Sequence, residues 1–528
     1  MNVYRITFAL ALLGTTLAAQ QQRGEPIDFM TIVIEGKEML FLPKSLVKQP
    51  PEPPPPYTQR ELDSINPLEK TPLFRSEPLE YQRRILQPSD ETLALTAHAG
   101  LYGFAGLDAL YQTQVDRYTL DLRGTLDRGG PYRPNADYFR THFRALARTA
   151  TQAAPDAPRM MGSGMLDVQT RTYRLFAVPS APERSAQTIA LALQQQYSGS
   201  TTLPYHAAFE LHHTRLRQMD SSTTNETELR ARVSSMPYRV ENVQLGALAD
   251  LSVRNYRGTA LHFHTLALSG SYADSAFAVE AQLGAQLGTT SWRTTEFMPL
   301  ADVRARWRIL PWLWLDGRLQ SSMAPVYFRN ELARCPYLSD TAAIGLQLSP
   351  YQLDAEITII PSSQLQVLAD LQLSSFSEAP YPEPQGDGTF ALRYASWTQR
   401  TIELRGRYTP NSQDFLRATV RVLDATFDDG SRVPYRPEFT ADLEYGKAIT
   451  ERLIASVRTG YVSSRRASAQ RTDRLQGYLV IAARGEYRLN SVLSVTAMLD
   501  NLAGSTIELW QGYIERSSFV GIGLAVRF

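Results

Sequence analysis

From Glu91 to Phe528 the chain repeats short runs in which apolar and polar residues alternate with period two, and that periodicity restricts the fold more than any other feature. In Asn242 to Arg254, Val243, Leu245, Ala247, Ala249, Leu251 and Val253 share one face, and Asn242, Gln244, Asp250, Ser252 and Arg254 share the other. A helix would scatter both sets around its circumference; a strand sends them to opposite sides. Gln352 to Ile360 sets Leu353, Ala355, Ile357 and Ile359 against Gln352, Asp354, Glu356 and Thr358. After Pro361-Ser362-Ser363-Gln364 the alternation resumes with Leu365, Val367, Ala369, Leu371 and Leu373, which reads as a tight hairpin. Phe277 to Leu287 and Asp302 to Ile309 follow the same rule. The region holds roughly 22 to 24 such runs at about 20 residues per strand and connection, a spacing suited to tilted, bilayer-crossing strands of about 9 to 11 residues.

Connections alternate in length. Leu489-Asn490-Ser491 and the Pro361 turn are short, whereas Ser375 to Gly388, Ser464 to Asp473 and Gly504 to Ser517 read as long loops rich in Ser, Pro, Gly, Arg or Asp. Barrels of the outer membrane have short periplasmic turns and longer outer loops, and an even strand count places both barrel ends on the periplasmic side. A pair of soluble β-sandwiches would turn about every 8 to 12 residues. Mean hydropathy of -0.27 does not argue against a barrel, because alternating faces average out polar. The longest apolar stretch after the first 20 residues, Ile309 to Leu315, is too short for a membrane helix and carries Pro311. The expected fold is therefore all-β: a transmembrane antiparallel barrel of about 22 strands over 91–528.

Two further segments precede it. Residues 1–19 carry Arg5, an apolar Ile6 to Leu17 and small residues Ala18-Ala19, the pattern of a signal peptide. Residues 20–90 contain Gln49-Pro50-Pro51-Glu52-Pro53-Pro54-Pro55-Pro56, whose fixed φ angles favour an extended spacer; this segment is expected in the periplasm. A net charge of +1, from 54 Lys+Arg against 53 Asp+Glu, argues against nucleic-acid binding. The single Cys335 permits no internal disulfide or thiolate metal site.

The last hundred residues or so resemble the C-terminal part of TonB-dependent outer-membrane receptors. The features that match are Val433-Pro434-Tyr435-Arg436-Pro437-Glu438-Phe439, Gly477-Tyr478, Asp500-Asn501-Leu502, Trp510-Gln511-Gly512-Tyr513 and the alternating end Phe519 to Phe528. The resemblance implies a 22-stranded barrel in the outer membrane and a receptor or transport function. It also implies an N-terminal plug of more than about a hundred residues, and the stretch before the first strand is shorter than that, so the plug is expected to be missing. Asp90 to Ala97 loosely resembles the TonB-binding segment but runs straight into barrel-like alternation, and Glu515-Arg516-Ser517 replaces the family's glycine-arginine pair. These departures argue against energised uptake.

No catalytic constellation stands out, so an enzyme is not expected, and no cofactor is expected. His262 and His264 would share a strand face, with His212-His213 in a comparable run, but further converging metal ligands are not identifiable. Gly162-Ser163-Gly164 lacks the register of a nucleophile elbow, and Asp428-Asp429 reads as a turn cap. Arg304, Arg306, Arg308, Arg405, Arg407, Arg417, Arg421 and Arg484 fall on polar faces and should line the lumen. There they either attract anions or pair with luminal carboxylates such as Asp302, Asp316, Glu403 and Glu486. Phe528, with Phe519 opening the same final strand, marks the expected assembly signal for the barrel-assembly machinery. The leading functional expectation is a receptor or porin-like conduit for solute. The alternative is a non-transporting scaffold that holds a periplasmic partner through its loops or through Pro53, Pro54, Pro55 and Pro56. A lumen so wide needs filling, by inward-folded loops, by the 20–90 segment or by a separate plug protein.

Overall fold

The computed structural model describes residues 93–528, apart from 116–117, 151–158, 199–204, 219–222, 236–237, 241–242, 275, 293 and 412. The signal-peptide, proline-rich and Pro53–Pro56 expectations thus lie outside the described residues. Twenty-two antiparallel strands form one closed sheet, in which Tyr238–Val240 continues Thr223–Ser235 along the same neighbour.

Closure is direct. The last strand, Phe519–Arg527, pairs with the first, Leu93–Gly100, from Ala94↔Arg527 to Gly100↔Gly521. The Phe528 N–H donates to Leu93 O at 2.8 Å. This leaves no edge whose backbone groups would face hydrocarbon unpaired. Inside the seam, the Phe519 ring lies over Gly100 so closely that a Cβ there would come within 2.5 Å of it. Leu93–Gly100 is therefore barrel wall, which removes Leu93 to Ala97 from any free TonB-binding segment.

Period two sorts the side chains. In Val243–Tyr256, Asp250, Ser252, Arg254 and Tyr256 are buried, while Leu251 and Val253 are exposed. The outward set forms an apolar belt in which Leu268, Phe297 and Ile522 are 70%, 69% and 64% exposed. Large side chains this bare, repeated around a closed sheet, fit a hydrocarbon surround.

One expected loop is a strand. Leu365–Pro384 runs through most of Ser375 to Gly388 and pairs with Phe390–Tyr408, leaving only 385–389 as the connection. Pro380, Pro382 and Pro384 pair with Tyr394, Leu392 and Phe390, whereas pairing to the other neighbour, Leu346–Ser362, ends at Glu378. The prolines thus stand at alternate positions along a free edge, where a missing N–H breaks no ladder. The other two long loops hold as loops; each folds into a two-stranded ribbon, Arg465–Arg466 with Arg474–Leu475 and Glu508–Trp510 with Tyr513–Ile514.

Candidate functional site

The connection between Leu313–Pro325 and Leu346–Ser362 carries the one helix among the described residues, Phe328–Arg334. It lies inside the mouth of the barrel rather than above it. Its apolar residues Val326, Phe328, Leu332, Leu338, Ala342 and Ile344 are buried together with Leu216, Tyr256 and Leu261 of the wall and with Leu392 of a strand further round. Backbone contacts pin its far half: Arg184 donates to Leu338 O at 2.6 Å, and Ser339 N–H donates to Phe390 O at 2.8 Å.

The helix start is held by charge. Glu226 accepts the N–H groups of Phe328 and Arg329 at 3.0 Å each. A first helical turn leaves such N–H groups without intrahelical partners, and a carboxylate suits them. Tyr327, the N-cap residue, makes no side-chain cap of its own. Arg254 reaches Glu226 at 3.3 Å and Val326 O at 2.6 Å. Arg329 meets Glu228 at 2.6 Å, and Ser252 donates to the other oxygen of Glu228 at 2.7 Å. Burial works against the Arg329 charge, but Glu228 and Glu226 outweigh it and raise its pKa. The Tyr327 ring sits beneath both guanidinium groups, 3.9 Å from Arg329 and 5.0 Å from Arg254. Four inward side chains of the wall, Glu226, Glu228, Ser252 and Arg254, and Arg329 of the loop thus form a latch between wall and loop.

Above the latch the loops seal to one another through aromatic rings. Tyr337 stacks on Tyr513 at 3.4 Å, Phe176 meets both edge-on at 6.3 and 5.0 Å, and Trp510 packs on Tyr435 at 4.7 Å. Cys335 is buried in this cluster, and burial pushes its thiol pKa up. The Tyr337 phenol is raised by the same cause.

All eight arginines singled out from sequence lie on the inward face. Arg304 and Arg306 meet Asp316 at 3.5 and 2.9 Å, Arg405 meets Glu403 at 3.2 Å, Arg417 meets Glu444 at 3.9 Å, and Arg421 pairs with Glu403. Arg308 stacks over Trp314 at 5.4 Å. Arg407 stands opposite Arg417, and Arg484 shares its face with Glu486, which Arg527 reaches at 3.3 Å. The pairing runs across strands for Arg304, Arg306, Arg417 and Arg421, and along one strand for Arg405 with Glu403. Phe519 points inward against Phe104 at 5.3 Å and under Arg516 at 3.8 Å. Phe528 ends the outward face and is 62% exposed.

The histidines do not converge. His262 and His264 point outward with rings 6.0 Å apart, and His212 faces Glu210 at 3.4 Å while His213 points the other way. Gly162-Ser163-Gly164 lies within the strand Arg159–Arg174. Asp429 accepts the Ser431 N–H at 2.8 Å, as a turn cap does. The latch residues were not singled out from sequence. The local signals of the wall members are the alternation Glu226, Glu228, Arg230, Arg232 in one run and the polar face with Ser252 and Arg254 in the next; nothing local joins either run to the later helix that carries Arg329.

No family model and no curated protein matches the chain. Solved structures do. The FrpB iron transporter from Neisseria meningitidis superposes with a TM-score of 0.67 at 9% identity, over 84% of each chain. The copper transporter OprC gives 0.64 at 12% identity, over 83% of this chain and 80% of that one. The ferric-catecholate import receptor Fiu from E. coli K12 gives 0.60 at 10% identity, over 84% and 82%. At such identities the likeness is one of fold.

Proposed function

We propose that the chain is an outer-membrane receptor or conduit that passes a solute through its barrel, and that the inward segment 326–345 is its gate. The observation that carries this reading is the latch: a loop folded into the lumen and held at one end by Glu226 and Glu228. A wall with no such task has no need of buried carboxylates aimed at a loop, since replacing them with apolar residues is commonly neutral or stabilising. The solved structures that share the fold are by their titles transporters or import receptors of iron, copper and ferric catecholate, which favours transport over enzymatic chemistry. The altered Glu515-Arg516-Ser517 favours passage without TonB gating.

In the same reading residues 1–19 direct export, 20–90 lie in the periplasm as a spacer or a place for a partner, and Phe528 is the residue engaged by the barrel-assembly machinery. Planar-bilayer recording of the full chain tests the gate. Wild type should conduct poorly, and Glu228→Gln should raise the open-channel current. Absence of current from both, together with unchanged solute uptake after deletion of the protein, would refute the transport reading.

A further inference from the structure

The outward face at the long-loop end of three consecutive strands departs from its surroundings. Arg215 and Arg217 of Tyr205–Gln218 and Arg257, in the turn after Val243–Tyr256, are all exposed. Arg217 stands opposite Thr223 and Arg215 opposite Asn225, whose carbonyl accepts the Arg257 N–H at 3.1 Å. Arg215 and Arg257 therefore flank Asn225 in one row, two strand spacings or about 10 Å apart, within reach of a common anion. One row lower, His213 is hydrogen-bonded to Thr227 at 2.9 Å. Below that lie Leu211, Leu229 and Val253, exposed members of the apolar belt. Four residues separate Leu211 from Arg215, which on a strand tilted by about 40° lifts the guanidinium row about 10 Å above the last leucines. That is the depth of lipid headgroups.

Among the described residues the patch is uncompensated. Among the described residues none of the three arginines makes an ion pair, and the nearby carboxylates Glu226, Glu228 and Asp250 point into the lumen and are buried. Other outward arginines differ: Arg174 is paired with Asp137 and Glu183 at 3.8 and 3.7 Å, Arg400 stands opposite Asp424, and Arg128 is single. Arg257 also holds a φ of 50° in a two-residue hairpin where Asn, Asp or Gly is usual. An arginine kept at so unsuitable a backbone position points to a demand on its side chain.

We propose that Arg215, Arg217 and Arg257, with Asn225 and Thr223 as hydrogen-bond donors, bind the phosphate of a lipid headgroup in the outer leaflet. Guanidinium forks match phosphate oxygens in pairs, and the leucines beneath receive the acyl chains of the same molecule. The inference rests on the membrane reading above.

The test uses the full chain, purified in uncharged detergent and then inserted into zwitterionic nanodiscs with or without diphosphoryl lipid A, with bound lipid measured by native mass spectrometry. Wild type should retain the lipid, and the triple variant R215A/R217A/R257A should retain about tenfold less or lower still. R128A, removing an outward arginine elsewhere, should retain it as wild type does. Heat-modifiable gel migration establishes that each variant is folded; if the triple variant does not fold, the lysine variant R215K/R217K/R257K replaces it and should retain less lipid than wild type, because ammonium groups lack the fork. Equal retention by wild type and variant, equal loss in R128A, or displacement of the lipid by inorganic phosphate at equal concentration would overturn the proposal. Failure to enter nanodiscs at all would instead overturn the membrane reading.

Discussion

The latch can be tested by breaking its shortest pair, Glu228 with Arg329, and the size of the effect follows from burial. The Glu228 side chain is 0% exposed and that of Arg329 14%, with nitrogen and oxygen 2.6 Å apart. Removing one partner of a buried pair leaves the other charge stranded, at a cost of about 3–5 kcal/mol. Ser252 still donates to residue 228, so the lower end, about 3 kcal/mol, is the better figure for Glu228→Gln. At about 1.4 kcal/mol per decade this raises the opening constant of the loop about a hundredfold.

Cys335 is the reporter. It is the chain's only cysteine, is 3% exposed within the folded loop, and its raised thiol pKa keeps it inert until the loop releases. Maleimide labelling of folded protein in detergent should then proceed at a rate proportional to the open population. Glu228→Gln and Arg329→Met should each accelerate it about a hundredfold. The double variant should fall well short of the product of the two, because close charge pairs couple by about 1.5–7 kcal/mol. Single variants that speed labelling less than about threefold, or a double variant equal to that product, would refute the latch.

Three further outcomes are expected. Deleting Phe528 should lower the yield of folded barrel in outer-membrane fractions while leaving assembled molecules normally closed to Cys335 labelling; unchanged yield would remove its assembly role. Burial holds the Glu515 carboxyl above its ordinary range against Arg171 and Arg516. A raised acid pKa stabilises the closed loops below the ordinary carboxylate range, and that contribution fades as pH rises through the folded value. Loop melting followed by Trp510 fluorescence should therefore shift upward between neutral pH and about pH 4, and E515Q should flatten the shift. At the other rim, Asp274 accepts the N–H groups of Ala276 and Phe277 at 2.8 Å each. Asp274→Ala should destabilise that turn by about 1 kcal/mol, seen as faster hydrogen exchange at Phe277 with the gate unaffected.

The sequence alone determined everything that depends on the two-residue period of a strand. Which side of Val243–Tyr256 meets lipid, where the arginines point, and that an alternating end from Phe519 to Phe528 could close a sheet all follow from geometry repeated at each residue, whatever the partner. Two things were left to the tertiary structure. Ser375 to Pro384 reads as loop because its prolines are poor strand formers; it becomes strand because Phe390–Tyr408 offers a partner, which beyond Glu378 is on one side only. The inward loop is the second. Phe328–Arg334 is too short to be stable by its own hydrogen bonds and carries no N-cap side chain. It exists because Glu226, about a hundred residues earlier, faces its first turn from the wall. A contact between positions so far apart has no local pattern, so only the closed barrel, by bringing the two together, decides that this loop is held against the wall.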